Sequence, residues 1–135
     1  MKTVSNNTNQ SPANQCARYP EMPPAVLVVD DDPKVGEVLV EFLTGEGFNV
    51  SYEVNGSKAL RHIEHDRPNV VLADMRMPVM DGVTLLKEIT HRWDDIDVIM
   101  MSATESPAGL PVPFIQKPFD LDDVITTICH CDTGD

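Results

Sequence analysis

Short apolar runs alternate along the chain with stretches in which apolar residues recur at helical spacing. The five apolar runs are residues 25–29, 49–54, 70–73, 96–101 and 114–116. Their near-continuous apolar character is typical of strands that are covered on both faces of a sheet. Stretches with helical spacing follow the first, second, third and fifth runs. This alternation predicts an α/β fold with a parallel sheet and right-handed crossovers.

Capping and turn residues mark where these helices begin and end. Asp32 followed by Pro33 predicts a helix start, because aspartate is a good N-cap and proline suits the first turn. Gly45 and Gly47 predict the end of the same helix. Asp120 predicts the start of the last helix. These residues therefore support the helix assignment independently of the apolar pattern.

The connection between the fourth and fifth runs is too short for a full helix. A parallel crossover needs about a dozen residues even with its helix, and the stretch from Ser102 to Pro113 is no longer than that. Pro107 and Pro111 within it also exclude a helix of useful length. We predict at most one helical turn in this crossover.

Four of the five apolar runs end in polar residues that form one chemical set. These residues are Asp30, Asp31, Asp32, Asp74, Ser102 and Lys117. In an open parallel sheet, ligands bind in the crevice at the carboxyl ends of the strands, where these side chains would converge. Carboxylates, a hydroxyl and an ammonium together predict a cation-dependent phosphoryl site with Asp74 as its central carboxylate. The second run ends without such a group.

Length and charge narrow the class of protein. The chain has 135 residues, which is enough for one domain with a single core. It carries 22 acidic and 10 basic side chains, a formal net charge of −12, which argues against nucleic acid and anionic membranes as partners. No apolar run approaches the roughly 20 residues of a spanning helix. We expect a flexible tail at residues 1–24, a domain at 25–130 and a short tail at 131–135.

The first residues of the chain and its cysteines indicate in which cellular compartment we expect the protein. The first residues lack the apolar stretch of a secretory signal, and Met1 suggests a complete product. The three cysteines, Cys16, Cys129 and Cys131, are odd in number and scattered. This pattern favours reduced thiols in the cytoplasm over a disulfide framework.

Four motifs resemble those of the response-regulator receiver domain, the phosphoacceptor half of two-component signalling. In the family's order they are VVDDDP at 28–33, DMRMPVMDG at 74–82, MSA at 101–103 and KPF at 117–119. The resemblance covers roughly residues 24–130. It implies a flavodoxin-like, doubly wound five-stranded parallel sheet with strand order 2-1-3-4-5. The short crossover departs from the family, which normally has a full helix there.

The resemblance also implies a role for each acidic residue of the site. Asp74 would accept a phosphoryl group as an acyl phosphate. Mg²⁺ would be the cofactor, with Asp31 as a direct ligand and Asp30 acting through water. Asp74 and the backbone carbonyl of Arg76 would complete the protein's share of the metal ligands.

Lys117 and Ser102 would contact the phosphoryl group, and each also has a structural alternative. Lys117 could be a surface lysine before a turn, although Pro118 occupies the position of a cis peptide in the family. Ser102 could form an ST-turn at a strand end. Phe114, at the family's switch position, is equally well explained as a core residue. For Asp30, Asp31 and Asp32 the alternative role is helix capping, which we favour only for Asp32.

The loop that follows Asp74 has its own turn signals. Pro78 forces an extended backbone at the residue before it. Asp81 and Gly82 predict a turn with positive φ at the glycine. The loop would thereby present the Arg76 carbonyl to the cation.

The sequence therefore predicts a phosphoacceptor receiver domain that is no enzyme beyond assisting its own phosphorylation and slow dephosphorylation. Its donor would be a sensor histidine kinase or a histidine phosphotransfer protein, and its output a protein contact. Because the short crossover removes part of the family's usual dimer face, we expect a monomer. One alternative is a haloacid-dehalogenase-like phosphohydrolase using Asp30 and Asp32, although Lys34 stands where that family has Thr or Val. A non-phosphorylated interaction module is another.

Overall fold

Five parallel strands form one sheet. The computed structural model describes residues 23–104, 106 and 108–129. The strands are β1 (Ala25–Val29), β2 (Asn49–Glu53), β3 (Val70–Asp74), β4 (Asp97–Ser102) and β5 (Phe114–Gln116). Neighbouring strands all pair in parallel, in the order β2-β1-β3-β4-β5. The predicted flavodoxin-like architecture and strand order are confirmed.

Four helices in the described part of the chain connect or follow these strands. They are α1 (Pro33–Gly45), α2 (Gly56–His65), α3 (Gly82–Arg92) and α4 (Leu121–Cys129). The Asp32 carboxylate accepts a hydrogen bond from the Lys34 N–H at 3.0 Å and caps α1 as predicted. The helix ends at Gly45, and Gly47 follows with a φ of 100°. At the start of α4, Asp120 accepts from the N–H two residues further on at 3.1 Å.

The strands differ by one residue from the apolar runs at several ends. Asp74 and Ser102 are the last residues of β3 and β4, while β2 ends at Glu53. Asp74 still pairs with Met101 in the ladder between β3 and β4. An apolar pattern stops at the first polar side chain, whereas backbone pairing continues until the chain turns.

The sheet is covered on both faces. Alternate residues of β1 belong to two separate clusters of buried side chains, Val28 to one and Leu27 to the other. The first cluster includes residues of α1 and α4, such as Leu39 and Ile128. The second includes residues of α2 and α3, such as Leu85. This two-sided burial explains why the strands are almost continuously apolar.

The crossover between β4 and β5 has no helix in its described residues, 103–104, 106 and 108–113. Gly109 turns the chain with a φ of 79°. Leu110 and Val112 pack against the cluster on the α2 and α3 face. The prediction of at most one helical turn is consistent with this loop.

The predicted tails lie outside the described residues, except for residues 23 and 24. Cys129 is disulfide-bonded. The prediction of reduced thiols is therefore wrong for Cys129, because an odd total of cysteines does not exclude one pair. Among the described helices, none is both long and apolar enough to cross a membrane.

Candidate functional site

Four polar side chains lie together at the carboxyl edge of the sheet because four strands end there. Asp74 and Ser102 are the last residues of β3 and β4, Asp30 follows β1, and Lys117 follows β5. Val29 pairs with Ala73 in the ladder, so Asp30 and Asp74 lie at the same level. Asp30, Asp74 and Ser102 are buried, and Lys117 is half-buried.

Three carboxylates converge at this edge. Asp30, Asp31 and Asp74 each offer one ligand oxygen, and these oxygens all lie within 4.8 Å of one another. Asp30 and Asp74 are buried while Asp31 is exposed, so the cluster faces solvent on the Asp31 side. Like charges this close disfavour joint ionisation, and a set of hard oxygen donors suits a divalent cation such as Mg²⁺.

Lys117 joins two of these carboxylates. Its Nζ lies 2.8 Å from Asp30 Oδ2 and 3.2 Å from Asp74 Oδ1. Burial alone would lower the pKa of Lys117, but the hydrogen bonds and charges of Asp30 and Asp74 outweigh it and raise the pKa. Lys117 is therefore a fixed positive charge at this edge. The Lys117–Pro118 peptide is cis, as the resemblance implied.

The pKa of Asp74 is raised. Burial is the largest cause, the ammonium of Lys117 acts against it, and the charges of Asp30 and Asp31 add to it. Because the folded pKa lies above the unfolded one, stability that is present below the unfolded pKa is lost as the pH rises through the folded pKa. Ionisation of Asp74 therefore opposes folding, and a positive charge close to the carboxylate relieves this destabilisation.

Ser102 makes the ST-turn that was the alternative to a phosphoryl contact. Its Oγ accepts a hydrogen bond from the Thr104 N–H at 3.2 Å and lies 3.0 Å from Thr104 Oγ1. The turn holds the hydroxyl at the edge of a cleft of about 730 Å³ that Ser102, Thr104 and Arg76 help to line. Arg76 lies two residues beyond Asp74 with an exposed side chain.

The loop after Asp74 does not turn as predicted. Positive φ occurs at Val79, at 73°, and not at Gly82. Gly82 is required for a different reason, because a Cβ there would overlap the Asp74 backbone oxygen and Met75. Asp81 accepts a hydrogen bond from the Thr84 N–H at 2.8 Å, which caps α3 and lowers the pKa of Asp81. Turn chemistry in the sequence does not reveal such a close approach between elements.

Phe114 is half-buried at the start of β5 and packs against the cluster on the α2 and α3 face. This position is compatible with a switch residue and with a core residue. Both interpretations of Phe114 remain predictions.

Tyr52 belongs to this edge although β2 was predicted to end without a chemical group. Its hydroxyl donates to the Asp30 carbonyl at 2.6 Å. A sequence signal for it was Gly36, since glycine inside a helix costs roughly 0.5–1 kcal/mol and often marks a close approach. A Cβ at Gly36 would overlap the Tyr52 ring.

Residues 26–129 match the family model described as the response regulator receiver domain. The chain belongs to the response-regulator receiver family. The receiver is 36% identical over 110 residues to the DNA-binding transcriptional regulator NtrC of Escherichia coli K12, covering 76% of this chain and 24% of that one. It is 36% identical over 112 residues to the transcriptional regulatory protein PrrA of Mycobacterium leprae, covering 78% and 48%. The receiver thus spans half or less of these relatives' length.

A solved structure with a similar fold is CheY of Borrelia burgdorferi in a CheX–CheY–BeF₃–Mg²⁺ complex. The identity is 30% and the TM-score 0.72, covering 79% of the receiver and 87% of that chain. Family membership decides against the haloacid-dehalogenase alternative, and Asp32 is an exposed helix cap. The expected absence of nucleic-acid binding stays a prediction, because NtrC is a DNA-binding regulator.

Proposed function

We propose that this receiver accepts a phosphoryl group from a phosphohistidine onto Asp74 in a Mg²⁺-dependent reaction. The observation that carries the proposal is the convergence of three carboxylates and one ammonium. The oxygens of Asp30, Asp31 and Asp74 lie within 4.8 Å of one another, and Lys117 Nζ contacts two of these side chains. Phosphoryl transfer depends mainly on positioning and on neutralising charge, and this arrangement supplies both.

The proposed step transfers one phosphoryl group between two proteins. A carboxylate oxygen of Asp74 forms a bond to phosphorus, and the bond between phosphorus and the imidazole nitrogen breaks. The imidazole keeps the electron pair and takes up a proton where it is needed for a neutral ring. The product is an acyl phosphate, which water later hydrolyses to restore the carboxylate.

The donor set fits Mg²⁺. Mg²⁺ binds through one or two carboxylates and keeps several waters, and the exposed Asp31 beside buried Asp30 and Asp74 offers that combination. The backbone carbonyl of Arg76, two residues beyond Asp74, is the proposed further ligand. When bound, the ion would neutralise the phosphoryl oxygens and the crowded carboxylates.

Lys117 and Ser102 have proposed roles after transfer. Lys117 Nζ is 3.2 Å from Asp74 Oδ1, so a small movement would bring it to a phosphoryl oxygen on that carboxylate. As a compact cation it needs no planar geometry. Ser102 would exchange its contact with Thr104 for one with the phosphoryl group.

We infer that the receiver, residues 25–130, is a monomer in the cytoplasm and signals through protein contacts. The complex of CheX with CheY from Borrelia burgdorferi supports protein partners for this fold. On the α1 side, Val38 is an exposed large apolar side chain. It lies in a depression of about 490 Å³ that Phe119 and Lys117 also line. This surface adjoins the site and suits a kinase or phosphotransfer protein.

Intact mass after incubation with Mg²⁺ and phosphoramidate tests the proposal. We expect the mass of one added phosphoryl group in the wild type. Asp74→Asn and removal of Mg²⁺ by EDTA should each abolish it. The matched control is Asp32→Asn, which changes a neighbouring carboxylate that caps α1 and should leave labelling unchanged.

Two outcomes would contradict the proposal. Labelling that persists in Asp74→Asn would assign the phosphoryl group to another residue. A folded wild type that shows no added mass with phosphoramidate, and none with a histidine kinase domain, would favour the interaction module.

A further inference from the structure

Tyr52 contacts both ends of the segment that carries the acidic residues. Its hydroxyl donates to the Asp30 backbone carbonyl at 2.6 Å. Its ring lies against α1 so closely that a Cβ at Gly36 would overlap it. Asp31 lies between these two contacts, so Tyr52 spans the segment that holds the exposed carboxylate of the site.

The backbone of Asp30 is held by β2 on both sides. Its N–H donates to the Glu53 carbonyl at 3.3 Å. In a continued parallel ladder, a backbone N–H of the neighbouring strand would meet the Asp30 carbonyl. Because β2 ends at Glu53, the phenol of Tyr52 donates there instead. Tyr52 thus extends the hydrogen bonding of β1 by one residue beyond the end of the sheet.

Holding this carbonyl has a consequence for Asp31. The peptide unit is planar, so the direction of the Asp30 carbonyl sets the orientation of the whole peptide that links Asp30 to Asp31. The Asp31 carboxylate oxygen lies within 4.8 Å of the oxygens of Asp30 and Asp74, and mutual repulsion drives this exposed side chain outward. A fixed peptide plane resists that movement before a cation arrives.

We propose that Tyr52 is a positioning residue for the cation site: its hydroxyl fixes the peptide between Asp30 and Asp31 and thereby keeps the Asp31 carboxylate beside Asp74. The inference rests on the proposed Mg²⁺ site.

Tyr52→Phe tests the inference because it removes the hydroxyl and keeps the ring against Gly36. Binding of Mg²⁺ alone is followed by ¹⁵N amide NMR of the full chain without a phosphodonor. We expect the dissociation constant to rise about three- to tenfold, the size of one neutral hydrogen bond. The Asp32 amide, which donates to Asp30 Oδ1 at 2.9 Å, should also exchange faster with solvent.

The matched control is Thr127→Val. The Thr127 hydroxyl donates to the Asp123 backbone carbonyl at 2.7 Å within α4, away from the site. This variant loses the same kind of bond, so it should lower thermal stability without changing the dissociation constant for Mg²⁺. If Tyr52→Phe does not fold, 4-fluorophenylalanine at position 52 preserves the shape of the side chain without a donor.

The outcomes separate this inference from the proposed function. Wild-type affinity in a folded position-52 variant, with binding abolished by Asp31→Ala, would overturn the role of Tyr52 and leave the Mg²⁺ site standing. A wild type whose Asp31 and Asp74 amides do not respond to Mg²⁺ would overturn both. If Thr127→Val weakens Mg²⁺ binding as much as Tyr52→Phe does, the effect reflects a general loss of stability, and this outcome would also overturn the inference.

Discussion

The connection from β1 to α1 and the crossover from β4 to β5 leave the same edge of the sheet but are built differently. In the connection from β1 to α1, Asp30 makes three contacts. Its N–H donates to the Glu53 carbonyl, its carbonyl accepts from the Tyr52 hydroxyl, and its carboxylate accepts from Lys117. In the crossover from β4 to β5, most of the described residues are exposed, and Gly109 has a positive φ. The chemical residues of the site belong to the first connection and to strand ends.

The difference shows which part of the receiver is constrained by chemistry. A carboxylate cluster must be held against its own repulsion, which requires fixed partners on several strands. The crossover only has to return the chain to β5 and cover the sheet with residues such as Leu110 and Val112. Beyond Thr104, which contacts the Ser102 hydroxyl, the crossover makes none of the site contacts described above, so we expect its length to be less constrained than that of the first connection.

Among the changes considered, removal of the Lys117 side chain should lower the free energy of unfolding the most. Asp30 is buried and its carboxylate is 2.8 Å from Lys117 Nζ. Lys117→Ala leaves that charge without this partner, so we expect a loss of about 3 kcal/mol in the free energy of unfolding without Mg²⁺. Urea denaturation measures it.

The control for this prediction is the double variant Asp30→Asn with Lys117→Ala, which should recover part of the loss because the buried charge of Asp30 is removed, while Asp74 still lacks the ammonium of Lys117. Mg²⁺ should still raise the Tm of Lys117→Ala, since Lys117 contacts the phosphoryl oxygen and not the metal in our proposal. Stability of the single variant equal to that of the wild type would refute the account of this ion pair. In the phosphorylated form, Lys117→Ala should also fail to give the wild-type spectral change.

Asp31→Ala should remove the stabilisation by Mg²⁺. A ligand that binds only the folded state adds about 2.7 kcal/mol at a hundredfold excess over its Kd. We expect the wild-type Tm to rise with Mg²⁺ at neutral pH and the Asp31→Ala Tm to stay constant. Asp32→Asn serves as the control and should respond like the wild type. A full response in Asp31→Ala would move the metal to another place.

Two glycines of α1 should respond to alanine with opposite signs. A Cβ at Gly36 overlaps the Tyr52 ring, and overpacking of this kind costs about 1–3 kcal/mol. A Cβ at Gly45 meets nothing within 4 Å, so Gly45→Ala should be neutral or stabilise the helix by up to about 1 kcal/mol. Thermal unfolding of both variants compares them directly. A neutral Gly36→Ala would show that the contact between α1 and Tyr52 is loose.

The crossover should give the smallest effect, namely no change of oligomeric state on activation. The helix that the family normally supplies to its symmetric dimer face is missing from the described residues between β4 and β5. We therefore expect light scattering to give the mass of a monomer with and without phosphorylation. A phosphorylation-dependent dimer packed through residues 104–130 would contradict this.

The sequence predicted most of the fold because the apolar runs mark the strands and four of the five runs stop at a polar residue. Asp74 and Lys117 follow apolar runs, so their convergence required only that the strands be parallel. The apolar pattern could not predict the contact of Tyr52 with Asp30. This contact joins β2 to the end of β1 through the hydroxyl of a side chain that the pattern treats as a core residue. The positive φ of Val79 could not be read from the sequence either, because β-branched residues rarely adopt it; in the structure the Met80 N–H donates to the Pro78 carbonyl at 2.7 Å across this turn.

One consequence of the crossover concerns protein engineering. Gly109 lies in an exposed turn where an added side-chain carbon meets nothing within 4 Å, and it begins the return to β5. Lengthening such a loop is inexpensive, since each doubling costs only about 0.6 kcal/mol in closure entropy. A fluorescent reporter or an epitope inserted there would be linked through the chain to β4, which ends at Ser102, and to β5, which ends just before Lys117. The loop, which has no helix in its described residues, thus offers an attachment point for a label, and we expect such a label to report changes at the proposed phosphorylation site.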